Sequence, residues 1–232
     1  MNDSFFGRIS DLFTNPGRLM ENVGAGPRWW QPGLMIFLVM IGFTWLISPI
    51  SAPEQAELMR DSKMMQLAGE EAADQMYEES KNVSPAKRMF NSGLAGFSSW
   101  LMIIIFGLIL GFFVRLGGGQ GSFNQALGIV SWGSLPLFFL SPLVKLPLIL
   151  KVESVFKVNI GLAALMPGAE PGSALFQILS TYGDFFTWWG LVLLVIGFER
   201  VFKMGRLPAA LSVLLPWGLL SGVMLGLSLL VT

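Results

Sequence analysis

The sequence predicts an all-α fold, a polytopic transmembrane bundle of about five helices. Of the 232 residues, 53% are hydrophobic and 13% are charged, whereas a soluble domain has roughly 25% charged residues. The mean hydropathy is +0.63. Several segments also reach about 20 mostly apolar residues, the length that crosses a hydrocarbon core of about 30 Å. With so few charges to cover a water-exposed surface, the chain is expected to contact the lipid bilayer.

The composition argues against several kinds of chemistry. The chain contains no Cys and no His, and its formal net charge is zero. Without a thiol or an imidazole, neither disulfides nor thiolate, zinc–histidine or Ser–His chemistry can be built. An aspartyl protease needs paired aspartates in the membrane, and Asp184 stands alone. We therefore expect no catalytic residue, no metal and no cofactor, and the zero net charge predicts no nucleic-acid partner.

Residues 1–30 are predicted to form an N-terminal amphipathic segment that lies in the membrane interface. Its apolar side consists of Phe5, Phe6, Ile9, Leu12 and Phe13. Asp3, Arg8 and Asp11 lie on the opposite side of the helix, which we expect to face water. An apolar face of only two or three turns is too short to span the bilayer and suits its surface.

Residues 31–232 are predicted to form the transmembrane domain. The expected spans are Pro32–Ile50, Gly93–Val114, Gln125–Leu150, Gly183–Phe198 and Pro208–Val231. The third span contains Lys145 and is interrupted by Pro136, Pro142 and Pro147. The fourth is preceded by an amphipathic stretch, Ser173–Tyr182.

Residues 51–92, between the first two spans, form the longest polar stretch and are expected to make a helical excursion outside the bilayer. Ser51 and Glu54 match a capping box that would start a new helix after Ser48-Pro49. One helical face is then marked by Leu58, Met65, Ala68, Ala72 and Met76. Ser84-Pro85 is expected to start the next helix. The excursion is either a solvated connection or a docking surface for a partner.

The orientation follows from the short loops. Five spans put the termini on opposite sides of the membrane. The hairpin Glu199–Leu207 carries Arg200, Lys203 and Arg206, and cations in short loops favour the cytoplasmic side. We therefore expect a cytoplasmic N-terminus and an external C-terminus.

A glycine-rich hairpin is expected between the second and third spans. The hairpin at residues 117–122 follows no strand and has no Lys-Ser/Thr after it, so it is not a phosphate-binding loop. It is either a flexible connection with Ser122 capping the third span, or a contact with a partner or a lipid headgroup. The candidate contact residues of this hairpin are Gly118, Gly119, Gly121 and Ser122.

Two transmembrane helices carry glycines at four-residue spacing. Gly107 and Gly111 lie in the second span, and Gly218, Gly222 and Gly226 lie in the fifth. Glycine allows helix backbones to approach closely in lipid. These glycines are predicted to pack helices together, either within one chain or between copies.

Asp184 is the acidic residue within the apolar stretch of the fourth span. An intramembrane carboxylate is a candidate for a proton or ion site, here paired with Lys145. The alternative is that Asp184 lies in the first turn of the span, where a carboxylate suits the helix dipole and remains near water.

Three motifs in order resemble the prokaryotic branch of the Yip (Ypt-interacting protein) family. They are Asn15-Pro16 with Trp29-Trp30-Gln31-Pro32, then Gly118–Gln125 leading to Ser134-Leu135-Pro136, and last Asp184–Trp188 with Gly197–Lys203. The resemblance covers most of the chain. It implies a five-helix fold, a cytosolic N-terminus and no catalytic activity, and some bacterial relatives are thought to accompany ABC-type exporters.

Two functions are weighed against each other on this basis. The first is a non-enzymatic scaffold or accessory subunit of an inner-membrane assembly, which binds other membrane proteins or copies of itself. The alternative is a small channel or transporter that uses Asp184 and the proline-broken third span.

Overall fold

The computed structural model describes residues 4–60, 69–166 and 173–231 of the chain. Within these ranges it is a bundle of helices without strands, which confirms the all-α fold. The helices are α1 (Phe5–Thr14), α2 (Pro16–Ala25), α3 (Trp30–Arg60), α4 (Glu70–Lys81), α5 (Pro85–Leu116), α6 (Phe123–Gly133), α7 (Ser141–Val152), α8 (Ala174–Tyr182), α9 (Phe185–Val201) and α10 (Arg206–Val231). A π-helical turn, Pro136–Leu140, joins α6 to α7, and a 3-10 turn, Leu162–Leu165, precedes α8.

Four helical stretches of the described chain are long and apolar enough to cross a membrane. They are Trp30–Arg60, Pro85–Leu116, Phe123–Val152 and Arg206–Val223. Helix α9 has 17 residues, about 25 Å at 1.5 Å per residue, and falls just short of a core of about 30 Å. The expected count of five spans stays a prediction, whereas the described residues contain four helices that have the length and hydropathy of membrane spans.

Helix α3 differs from the sequence expectation because it does not end at Ser48-Pro49. It continues through Pro49 and Pro53 to Arg60, so Ser51 does not begin a new helix. A proline removes one backbone donor and usually bends a helix, but neighbouring segments support this one. The carboxylate of Glu54 accepts a hydrogen bond from the Val155 N–H at 2.7 Å.

The excursion after α3 is helical where the structure describes it, in the last turns of α3 and in α4. Met65 and Ala68 of the predicted apolar face lie outside the described residues. The Ser84 hydroxyl caps α5 by accepting from the Lys87 N–H at 3.3 Å, with Pro85 at the first helical position. That helix start agrees with the sequence expectation.

The third span follows one path through three helical segments. Pro136 begins the π-helical turn, Pro142 lies at the start of α7 and Pro147 lies inside it. Prolines are tolerated at helix starts because the first N–H groups need no intrahelical partner. The widened turn is a usual response to an interrupted hydrogen-bond ladder.

The N-terminal segment packs against the helical bundle, and its place in the membrane interface stays a prediction. Leu12, Leu19, Met20 and Val23 belong to the same buried cluster as residues of α6 and α9. Arg8 and Asp11, which we expected to face water, are 1% and 4% exposed. Phe6 and Phe13 remain exposed, and Asp3 lies outside the described residues.

Close backbone approach holds the second span against the third. A Cβ on Gly111 would lie 3.0 Å from the Ala126 Cβ, and one on Gly107 would lie 2.8 Å from the Leu127 Cδ2. The hydrophobic effect does not drive helices together in lipid, so close packing of this kind supplies the association energy instead. Both glycines of the second span therefore face α6.

We expect Gly111→Val to lower the free energy of unfolding in detergent by about 1–3 kcal/mol, because the added atoms overpack the α5–α6 contact. The matched control is Gly42→Val in α3, where a Cβ meets no atom within 4 Å. Thermal or denaturant unfolding of the two variants measures the difference. Equal losses at both positions would mean that helix propensity, not packing, sets the cost.

Candidate functional site

Asp184 and Lys145 are brought together in the structure. The Lys145 Nζ donates to the Asp184 Oδ2 at 3.0 Å, and the Asp184 Oδ1 accepts from the Thr187 N–H at 3.0 Å. Asp184 is therefore the N-cap of α9 and the partner of a cation from α7 at once. Its residue is 4% exposed, so this carboxylate is satisfied by a helix start and by one ammonium.

The pair lies at one border of the apolar layer. Gly107 of α5 contacts Leu127 of α6, and these two helices run in opposite directions. Lys87 lies twenty residues before Gly107, about 30 Å along the helix axis. Lys145 lies eighteen residues after Leu127, about 27 Å along the axis in the same direction across the layer. Lys145 thus reaches the level of the cations that precede the apolar part of α5, where a charged side chain remains near the headgroups.

Hydrogen bonds to backbone groups surround the ion pair. Gly161 and Asp184 make an antiparallel bridge, and the Leu162 N–H donates to the Gly183 carbonyl at 3.1 Å. The Trp188 indole N–H donates to the Tyr182 carbonyl at 2.5 Å. These bonds fasten the start of α9 to α7 and to the connecting segment. The geometry supports an anchoring role, and a proton or ion site at Asp184 stays a prediction.

The glycine hairpin is packed against its own chain. The Gln120 N–H donates to the Phe202 carbonyl at 2.9 Å, and a Cβ on Gly121 would lie 2.6 Å from the Phe202 ring. Ser122 and Gln125 form a capping box at the start of α6. Gly119 also lies against Phe202, whereas Gly118, at φ +88°, faces open space. Of the four candidate contact residues of the hairpin, Gly118 and Ser122 are exposed.

The glycines of the last helix differ from those of the second span. A Cβ on Gly218, Gly222 or Gly226 would meet nothing within 4 Å in the described structure. We call these three residues the glycine stripe. The expected packing within one chain is therefore not made by the stripe where the structure describes it, and packing between copies stays a prediction.

Arg8 is the buried charge that the sequence did not reveal. Its Nη1 donates to the Gly26 carbonyl at 3.0 Å and its Nη2 to the Asn22 carbonyl at 3.5 Å, and its guanidinium lies 6.0 Å from the Trp132 ring. These carbonyls lie at the end of α2, where the helix dipole favours a cation, and each also accepts a backbone N–H. Asp11 pairs with Arg18 of α2. Only the folding of α1 back along α2 places these groups together.

The excursion carries several surface ion pairs. Arg60 pairs with Asp74 at 2.6 Å and Lys87 with Glu79 at 3.4 Å. A hydrogen bond to Glu78 raises the pKa of Lys81. Exposed pairs of this kind contribute little stability, so α4 keeps a charged surface available to a partner.

The described residues hold no group of three or more metal-ligating side chains. What they define is a polytopic helical membrane protein with an ion pair at one border of the apolar layer and an uncovered glycine stripe.

A comparison with known protein families identifies the family to which the chain belongs. The Yip1 domain family model matches residues 10–227, so the chain belongs to that family of membrane proteins. The resemblance to the Yip family found in the sequence is confirmed, and its prokaryotic branch stays a prediction. The chain has no match among curated proteins and none among solved structures. The family is not known as an enzyme family.

We expect Asp184→Asn to keep the helix cap but to lose the ion pair, since Asn caps helices as well as Asp does. The free energy of unfolding should fall by about 1–3 kcal/mol, because Lys145 loses a charged partner in a partly buried place. A double-mutant cycle with Lys145→Met, followed by unfolding in detergent, isolates the coupling between the two side chains. A coupling near zero would show that they act independently.

Proposed function

We propose that this protein is a non-enzymatic scaffold or accessory subunit of a membrane assembly, with an ABC-type export system as the specific candidate. The observation that carries the proposal is the glycine stripe of α10, where an added Cβ would meet no described atom of another helix within 4 Å. In lipid, helices associate through small residues that let backbones meet. The stripe thus provides a contact surface for a second copy or for a helix of another membrane protein.

The excursion supplies a second surface for the assembly. On α4, the exposed acidic side chains are Glu71, Asp74, Glu78 and Glu79. They lie outside the apolar spans, where a partner with a basic surface would gain electrostatic steering. We propose this face as the extramembrane docking surface.

The glycine hairpin supports a smaller role in docking. Its buried side contacts Phe202, so of the four candidate contact residues Gly118 and Ser122 remain exposed to a partner or a lipid headgroup. We propose that the hairpin mainly fixes the α5–α6 connection and contacts a partner with these two residues.

The proposed location is the cytoplasmic membrane of a prokaryote, with the N-terminus in the cytoplasm and the C-terminus outside. The cations Arg200, Lys203 and Arg206 support this orientation because short cytoplasmic loops are rich in Lys and Arg. On this orientation, the acidic surface of α4 faces the external side, and its partner belongs there.

The channel or transporter alternative finds less support in the geometry. Both carboxylate oxygens of Asp184 already accept hydrogen bonds. The pair also lies at a border of the apolar layer rather than at the midplane, where transporter sites are usually found. The proline-broken third span continues through a π-helical turn without a break in its path.

We expect Gly222→Leu to reduce the amount of partner protein, whether a second copy or another chain, that co-purifies from native membranes. The leucine would hold the backbones apart at the centre of the stripe. The control is Gly42→Leu, the same change at another glycine with open space around it. Equal recovery of partners with both variants would remove the stripe from the assembly surface.

A cysteine variant tests contact between copies directly, because the natural chain has no Cys. Gly222→Cys should form disulfide-linked dimers on oxidation in membranes, and Leu220→Cys, on the other side of α10, should not. Dimers from neither variant would leave another protein as the partner of the stripe. If neither dimers nor a co-purified protein were found, the scaffold proposal would fail.

A further inference from the structure

An apolar groove runs between α9 and α10 and is open at the surface of the bundle. Its volume is about 370 Å³. The lining residues are Trp188, Leu191, Val192, Val195, Ile196, Glu199, Arg206 and Leu214. Val192 is 53% exposed, so the groove is accessible from the surface of the bundle.

The groove has a cation at one end. The Arg206 Nε donates to the Glu199 Oε2 at 3.2 Å, and the Arg206 side chain is 81% exposed. Among the described residues, Glu199 is its one ion-pair partner. The two terminal amino groups of the guanidinium therefore remain available, and a guanidinium binds a phosphate with two parallel hydrogen bonds.

The other end is closed by aromatic rings. Trp188 lies 5.8 Å from Trp217, centroid to centroid, in an edge arrangement, and Tyr182 lies 5.2 Å from the same Trp217. The length between the ends is set by α9. From Trp188 to Glu199 there are eleven residues, or about 16 Å, which is the thickness of one leaflet of a hydrocarbon core of about 30 Å.

We infer that this groove binds one phospholipid, with an acyl chain along α9 and the phosphate on Arg206. The apolar wall, the leaflet-long depth and the exposed guanidinium at the border match the three parts of such a lipid. Glu199 holds the guanidinium at the mouth of the groove. The inference goes beyond the scaffold proposal and does not rest on it.

The phosphate contact is tested with Arg206→Gln in the full-length protein. The wild-type protein, purified in detergent and titrated with phosphatidylglycerol, should show one bound lipid by native mass spectrometry. Arg206→Gln should bind that lipid about tenfold more weakly, because a charge-assisted contact is lost. Lys203→Gln is the matched control. It makes the same charge change three residues away but does not line the groove, and its affinity should stay within about twofold of wild type.

The acyl-chain contact is tested separately with Val192→Trp. This exposed residue places no demand on the core, and the indole would fill the groove while Arg206 stays in place. The one-lipid adduct should disappear, whereas Val223→Trp on the exposed face of α10, outside the groove, should keep it.

The inference is overturned if Arg206→Gln and Lys203→Gln weaken the lipid equally, or if Val192→Trp keeps the bound lipid. It is also overturned if the groove variants change the number of associated chains without changing the bound lipid, since a second copy would then occupy the groove. The Gly222→Leu variant should keep its lipid even where it loses partners, and this separates failure of the groove from failure of the scaffold proposal.

Discussion

Close approach of helix backbones at glycine is the contact on which the bundle depends. A Cβ on Gly96 would lie 2.9 Å from the Phe37 carbonyl oxygen, and a Cβ on Gly190 would lie 2.9 Å from the Gly133 carbonyl oxygen. Backbone atoms cannot move aside as the end of a flexible side chain can. Because lipid tails are as apolar as leucine, helices in a membrane gain little from hydrophobic burial and rely on packing and polar contacts. These two approaches fix α3 against α5 and α6 against α9, and the remaining helices pack around them.

The elements that were predictable from sequence are those whose cause is local. Apolar length defines the helices, and side-chain caps define their starts, as at Ser84 and Ser122. The end of the first span was not predictable. Pro49 was expected to end the span, yet α3 continues through Pro49 and Pro53. Whether a proline ends a helix depends on what packs around it, and here the Glu54 carboxylate, read as part of a capping box, binds the distant Val155 N–H.

Buried charges were the least predictable part of the candidate site. Periodicity assigns Arg8 to the polar side of an amphipathic helix, but the direction of that side depends on how α1 folds against α2. In the structure, the guanidinium satisfies carbonyls at the end of α2, and leaving it without them would be costly. The role of Asp184 was easier to predict from sequence, because an Asp directly before an apolar helix is a usual N-cap. Its contact with Lys145 of α7 followed from the rule that charges within a span find partners.

The three glycines of the stripe lower the stability of helix α10. A glycine in a helix interior costs up to about 1 kcal/mol relative to alanine. At Gly96 and Gly190 this cost is offset by backbone contacts that a larger residue would prevent. Gly42 and Gly93 have open space as well, but they lie singly on different helices, whereas the stripe places three such residues on one face at helical spacing. Nothing described in the chain offsets their combined cost of about 3 kcal/mol. A helix from outside the chain, packed on this face, would offset it in the same way as the internal contacts do.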